Sequence, residues 1–217
     1  MAWPKLYPLS GVGFVVVALG GVFVFGGSTP DSDASAAKVV SFYSAHSGRQ
    51  QVAAFVLAAS VPFLVLFALY LRAAAARGVG ESAARDAIWG RFLVAGAVIE
   101  GAVLLVTALI HFALADAVDH GVSGDAARVL NALDGDSWIA WNSAFGIMML
   151  GAGATVLASA TLPRWMAWLA LLVGVLLFIP FADFFALLVS LLWILAASVY
   201  LYTRGDALAT TATPVGT

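Results

Sequence analysis

The sequence predicts an all-α fold, a polytopic membrane bundle of six transmembrane helices with two short extracytoplasmic amphipathic helices. The chain has 217 residues, of which 63% are hydrophobic and only 10% are charged, and long apolar runs recur along it. Soluble domains are roughly half apolar and a quarter charged. A helix crosses ~30 Å of hydrocarbon in about 20 residues, which is the length of most of these runs.

The apolar runs define six predicted spans within a single transmembrane domain, residues 1–204. The last run, 165–202, would be about 57 Å long as one helix, so we divide it at Pro180, whose preceding residue avoids the α region, and at the polar Asp183. The first run is too long for a secretory signal core, and no Ala-x-Ala site follows it. The predicted spans are 9–27, 52–71, 92–115, 138–160, 165–179 and 184–202, and 205–217 is predicted to be a flexible tail.

Positive charge is distributed unevenly between the two sides of the bundle. Of ten Lys and Arg residues, seven share a side with both termini, and three lie in the opposite, acidic segments. Because cytoplasmic loops carry the excess of Lys and Arg, we expect both termini and 72–91 to be cytoplasmic, with 28–50 and 116–136 external. Eight Arg against two Lys is typical of a GC-rich genome, which favours a bacterial plasma membrane.

The two longer external segments each contain a predicted amphipathic helix, 33–46 and 123–134, which opens with capping residues. Aligned at an offset of 90, residues 36–40 match 126–130. This match indicates two parallel copies of a helical hairpin. Such repeats occur in transporters and also in membrane proteins that transport nothing, so the repeat alone does not decide the function.

The order of motifs along most of the chain resembles one bacterial family. Aromatic residues end the first external segment at 40–43, a basic loop begins at 71–72, a Leu-Pro-Arg-Trp turn at 162–165 opens span 5, and Asp-Phe-Phe follows at 183–185. These features resemble the domain-of-unknown-function 4386 family and its actinobacterial relatives, small integral membrane proteins with six spans. The resemblance implies this fold, and it implies no established activity, substrate or site residue.

Glu100 is an acidic residue well inside a predicted span. It lies nine residues from Arg91, about 13.5 Å along the helix and therefore near the bilayer midplane. A carboxyl at this depth is a candidate for proton transfer. The alternative is a neutral acid that bonds to a hydroxyl such as Ser60 or Ser190, because the sequence places no Lys, Arg or His at the same depth.

Thr107 and His111 follow Glu100 on the same helix face, seven and eleven residues further along. With Asn142 near the outer end of span 4, at a height where it can meet His111, they form a candidate polar stripe that faces the bundle interior. Glu100 and His111 are about 16 Å apart along the helix axis, which is too far for a shared metal ion. A simple interfacial role for His111 is the alternative.

A weaker candidate is an external cation site formed by Asp116, Asp119 and His120. Asp116 and His120 are one helical turn apart, and carboxylate and imidazole are both common metal ligands. The positive-inside topology already explains why the external loops are acidic, so these residues also have a reading without a ligand.

The sequence lacks the motifs of the common enzyme classes. The absence of cysteine excludes disulfides and thiol catalysis, and there is no serine-hydrolase, zinc-protease, P-loop or dinucleotide-binding motif. We therefore predict no catalytic residue, cofactor or resident metal, and the acidic composition disfavours nucleic acid as a partner. We expect a non-catalytic protein that acts through membrane lipids, a membrane-protein partner or a second copy of itself. A proton-coupled or small-solute transporter is the alternative, and an intramembrane enzyme is a third.

Overall fold

The computed structural model describes residues 6–77 and 83–210; the side chains of Phe25, 83–87 and 205–210 are not described. Every regular element in these ranges is a helix, as the composition predicts. A short 3₁₀ turn, Tyr7–Leu9, precedes the first helix, and a π-helix, Gly20–Gly26, continues it. The α-helices are α1 (Ser10–Leu19), α2 (Ala36–Arg77), α3 (Ala83–Asp119), α4 (Gly124–Asp136), α5 (Trp138–Ser159), α6 (Arg164–Leu176) and α7 (Asp183–Thr210).

Five helical segments are long and apolar enough to cross a membrane, and α6 is shorter. The five are Tyr7–Val24, Ala36–Arg77, Ile88–Asp119, Gly124–Ser159 and Asp183–Arg204. α6 has 13 residues and is about 20 Å long. It ends at Leu176, three residues before the predicted end of the fifth span. The break predicted at Pro180 is present: Phe181 adopts a φ of 73°, a left-handed conformation that a helix cannot continue.

The first predicted external helix, 33–46, is not a separate element. It is the beginning of α2, which runs without interruption for 42 residues, through Pro62. The sequence misled here because the polar residues between 44 and 51 resemble a loop, whereas they belong to a continuous helix in which most of them are exposed and Gln50 is buried. α7 likewise continues to Thr210, into the segment predicted as a flexible tail, of which 211–217 lie outside the described residues.

The second helix that the sequence predicts to be external corresponds to α4. The Ser123 hydroxyl caps it by accepting a hydrogen bond of 3.4 Å from the backbone N–H of Ala126, as the sequence predicts for this residue type. α4 ends at Asp136, and α5 begins at Trp138. Both of these predicted helices therefore lead directly into a long apolar helix, α2 in one case and α5 in the other.

Glycine allows α3 and α5 to pack at close range in the middle of the bundle. A Cβ atom on Gly96 would lie 2.6 Å from backbone atoms of Met148, and one on Gly151 would lie 2.6 Å from backbone atoms of Leu93. The two glycines thus meet the partner helix from opposite sides of one interface. Lipid tails are as apolar as the helix surfaces, so helices in a membrane associate through close packing at small residues rather than through the hydrophobic effect.

A second, smaller cluster of buried side chains lies at one end of the bundle, apart from the main core. Its members come from the start of α2, the end of α3 and α4, and they include Val39, Tyr43, Leu114 and Ala127. We call this end, formed by residues 27–50, 111–138 and 183, the acidic end. α4 folds over it and packs against α2 and α3, and this placement builds the site described next.

Candidate functional site

The first helix ends in a π-helical turn whose carbonyl groups are capped by side chains of α2. Gln50, which is fully buried, donates from Nε2 to the Gly26 carbonyl at 2.8 Å. Arg49 donates from Nη2 to the Val24 carbonyl at 2.9 Å. The last carbonyls of a helix have no partner within it, so these two bonds fix its end against α2. Gly27 then leaves the helix at a φ of 67°, which glycine adopts readily.

His111 connects three helices at the acidic end. Its Nδ1 lies 2.8 Å from Oδ2 of Asp134 on α4, and its Nε2 lies 2.8 Å from Oε1 of Gln50 on α2. The side chains of His111 and Asp134 are largely buried, with 13% and 14% of their surfaces exposed. One imidazole on α3 therefore holds both α2 and α4.

The hydrogen bonds around Gln50 determine the orientation of its amide beside His111. The Asp134 carboxylate is an acceptor, and Gln50 presents its oxygen because its amide N–H₂ is already bonded to the Gly26 carbonyl. Turning the Gln50 amide over would place its oxygen against the carbonyl oxygen of Gly26. His111 is therefore hydrogen-bonded to Asp134 on one ring nitrogen and to Gln50 on the other, beneath α4.

Two further polar contacts connect α5 to its neighbours. Trp141 donates from Nε1 to the Thr107 hydroxyl at 3.0 Å. Asp183, the first residue of α7, accepts hydrogen bonds on Oδ2 from Trp138 at 2.9 Å and from Asn142 at 2.8 Å. Its other carboxylate oxygen accepts from the backbone N–H of Phe184 at 2.9 Å. The acidic end of α5 is thus hydrogen-bonded to α3 on one side and to α7 on the other.

These contacts surround a cavity of about 280 Å³ at the acidic end. This volume lies near the lower end of the ~300–1,000 Å³ range that is typical of small-molecule pockets. Its wall is apolar where the first helix and α2 contribute, and it is polar and aromatic where α3, α4 and α5 contribute. The lining includes Gly26, Ala54, Thr107, His111, Asp134 and Trp141.

Glu100 lies apart from this cavity, deeper in the bundle. Only 1% of its surface is exposed, and its Oε2 atom has no hydrogen-bond partner among the residues that the structure describes. It does not contribute to the cavity wall, although Thr107, two turns further along α3, does. The hydroxyls of Ser60 and Ser190, which the sequence places at the depth of Glu100, donate instead to carbonyls of their own helices.

Asn142 and the residues of the predicted cation site make other contacts than the sequence predicts. Asn142 does not meet His111 but bonds to Asp183, because α4 brings Asp134 into the position beside His111. At the external cation site, His120 Nδ1 lies 2.8 Å from the backbone oxygen of Asp116 and 3.6 Å from its carboxylate. Asp116, Asp119 and His120 do not converge as metal ligands would. Within 6–77 and 83–210, no three His, Asp or Glu side chains are grouped so that they could hold a metal ion.

Sequence reasoning missed several residues that complete the site. Asp134 was one of many acids in a segment whose charge the topology already explained, and Gln50 stood at the polar edge of an apolar run. The signal for Asp134 was its position near the end of an amphipathic helix that had to fold back over the bundle. For Gln50 the signal was an uncharged amide immediately before a span, where helix ends need donors.

Comparison with known proteins found no family model, curated protein or solved structure that matches this chain. The resemblance to the domain-of-unknown-function 4386 family therefore stays a prediction from the sequence.

Proposed function

We propose that this chain is a multi-pass protein of a bacterial plasma membrane that binds a small molecule in the cavity at its acidic end and performs no catalysis. The acidic end faces outward in this proposal, and both termini are cytoplasmic. The observation that carries the proposal is the cavity itself, in which the hydrogen-bonded side chains of His111 and Asp134, a threonine hydroxyl and two indole rings line one side of an otherwise apolar space. Few, well-placed polar groups in an apolar pocket are typical of ligand sites.

Membrane placement is supported by the surface of the bundle. Large apolar side chains are exposed along the helices, among them Phe23, Leu109 and Leu192 at more than 60%. Trp165 and Trp168 are exposed at the end opposite the cavity, as interfacial tryptophans are. In water such a surface would aggregate, whereas in a bilayer it is the favourable surface.

Binding is favoured over transport by the surroundings of Glu100. A proton-coupled carrier that uses this carboxyl needs a hydrated path to it, and such a path would make Glu100 part of the cavity wall. Instead, Glu100 is enclosed two turns below Thr107, in the region where α3 and α5 pack backbone to backbone at Gly96 and Gly151. The position of Glu100 outside the cavity wall therefore favours binding, and transport is the alternative function.

Thiol accessibility tests this distinction directly, because the chain has no cysteine. Thr107→Cys and Glu100→Cys are introduced singly, and the purified proteins in lipid nanodiscs are treated with a small cationic methanethiosulfonate. We expect rapid modification at position 107 and protection at position 100. Modification of both at similar rates would support a water-filled path and the transport alternative. Protection of both would contradict an accessible cavity.

The orientation needs a separate experiment in cells. Single cysteines are placed by Ser44→Cys, Gly78→Cys and Ser123→Cys, and intact cells are treated with a membrane-impermeant maleimide. We expect labelling at positions 44 and 123 only, because these lie in the acidic segments. Labelling at position 78 alone would invert the topology and place the cavity on the cytoplasmic side.

A further inference from the structure

A second concave surface lies on the outside of the bundle, between α3 and the α4–α5 junction. It is a groove of about 580 Å³ that runs along α3 from Ile99 to Ile110 and along the other wall from Leu133 to Ser143. The eleven-residue separation on α3 corresponds to about 16 Å. With C–C bonds near 1.5 Å, an extended alkyl chain of about a dozen carbons has the same length.

The polar groups of the groove are concentrated toward one end. Asp136 and Ser137 lie at the acidic end and Thr107 near it, whereas the lower walls, apart from the hydroxyl of Ser143, consist of aliphatic side chains such as Ile99, Ala102 and Val103. The carboxylate of Asp136 is exposed and has no ion-pair partner among the described residues. The described lining contains no Lys, Arg or His. The groove thus combines a long apolar trough with one uncompensated negative charge at its mouth.

We propose that this groove binds a single-chain cationic amphiphile, with its alkyl chain along α3 and its ammonium head at Asp136. The dimensions fit one chain, and the charge complements an ammonium group. A diacyl phospholipid is disfavoured because its phosphate would lie against the Asp136 carboxylate. This site is separate from the proposed ligand cavity, which lies on the other side of Thr107 and Ser137, the residues that line both. It does not depend on what the cavity binds.

Photocrosslinking in nanodiscs of zwitterionic phosphatidylcholine tests the proposal. The probe is a dodecylammonium that carries a diazirine near the end of its chain, and the modified residues are mapped by mass spectrometry. We expect modification to concentrate near Ile99, Ala102 and Val103. Excess dodecyltrimethylammonium should suppress it, and excess dodecyl sulfate should not. Modification spread evenly over the exposed apolar residues of all helices would overturn the proposal.

Matched variants measure separately what the charge of Asp136 and the shape of the groove contribute to binding. Asp136→Asn should raise the competitor concentration that gives half suppression about fivefold, which corresponds to about 1 kcal/mol. Asp125→Asn removes an exposed acid from the other end of α4, outside the groove. It should change the competitor concentration for half suppression less than twofold. Ala102→Trp should abolish modification by filling the trough, while Leu172→Trp, on the exposed face of α6, should not. An equal effect of the two aspartate variants would contradict a specific head-group site.

Discussion

The middle of the bundle and its acidic end are held together in different ways. In the middle, α3 and α5 touch through glycine, and the side chains around them, apart from Glu100, are mostly apolar or small, so stability depends mainly on shape. At the acidic end, the structure joins helices through buried and half-buried polar groups, each positioned by a partner from another element: His111 with Asp134 and Gln50, and Asp183 with Trp138 and Asn142.

The middle of the bundle is therefore the more rigid region, and the acidic end is the region with room for a ligand. A close-packed interface between two backbones leaves no room for a ligand and tolerates no added volume. A polar network with aromatic walls leaves a cavity and provides groups that can exchange partners. The middle therefore fixes the fold, and the acidic end is where a function can be built.

The largest effect is expected from adding volume between α3 and α5. Gly96→Leu places a side chain where even a Cβ would lie 2.6 Å from the backbone of Met148, so the helices must separate. We expect the free energy of unfolding to fall by more than about 3 kcal/mol, measured by denaturant unfolding in detergent. Gly48→Ala is the matched control, because a Cβ there meets nothing within 4 Å; a comparable loss in both variants would contradict the packing argument.

A smaller effect is expected from breaking the polar network at the acidic end. His111→Phe keeps a ring but leaves Asp134 and Gln50 without their donor, which should cost about 2–3 kcal/mol. Hydrogen exchange should accelerate in α4 and remain unchanged in the middle of α3 and α5.

A double-mutant cycle with Asp134→Asn tests whether the two residues form one unit. The losses should be clearly less than additive, because either substitution alone already breaks the pair. Arg128→Gln, at an exposed position of the same helix, serves as the control and should change stability by less than about 0.5 kcal/mol. Additive losses would show that His111 and Asp134 act independently.

Substitution of Glu100 tests whether the middle of the bundle requires a charged carboxylate at this position or only a hydrogen-bonding group. Glu100→Gln retains an acceptor and nearly the same volume, so it should cost less than about 1 kcal/mol. A large loss in the Gln variant, seen as a lower melting temperature in nanodiscs, would mean that the carboxylate itself is required.

The smallest effect is expected at His120, at the exposed edge of the acidic end. A hydrogen bond to the Asp116 backbone carbonyl, together with the nearby Asp116 carboxylate, raises the pKa of His120 above its ordinary value of 6.5. Its stabilising contribution is therefore fully present below pH 6.5 and is lost as pH rises through the higher folded pKa. NMR titration of labelled histidine should show this raised pKa, and His120→Gln should remove the pH dependence of exchange in the last turn of α3. An unshifted titration would contradict the hydrogen bond.

The sequence predicted the middle of the bundle better than the acidic end, for a physical reason. Apolar runs and the Pro180 break are local signals, so the positions of most long helices and the α6–α7 turn follow from composition. The site depends on which residues α4 brings to α3, and this is a tertiary property. The spacing of Thr107 and His111 placed both on one face, but it could not indicate that Asp134, rather than Asn142, would meet the imidazole. Nor could it show that α2 would continue unbroken through its polar start.

The continuity of α2 has a mechanical consequence. With 42 residues it is about 63 Å long, roughly twice the thickness of the hydrocarbon, and it lines the cavity at Ala53, Ala54 and Leu57. It therefore connects the cavity wall to both of its own ends as one continuous helix. A rotation of about 5° around Pro62 would displace Ala36, some 39 Å away, by about 3 Å. The positions of the two ends of α2 are thus sensitive to small changes of angle near the cavity.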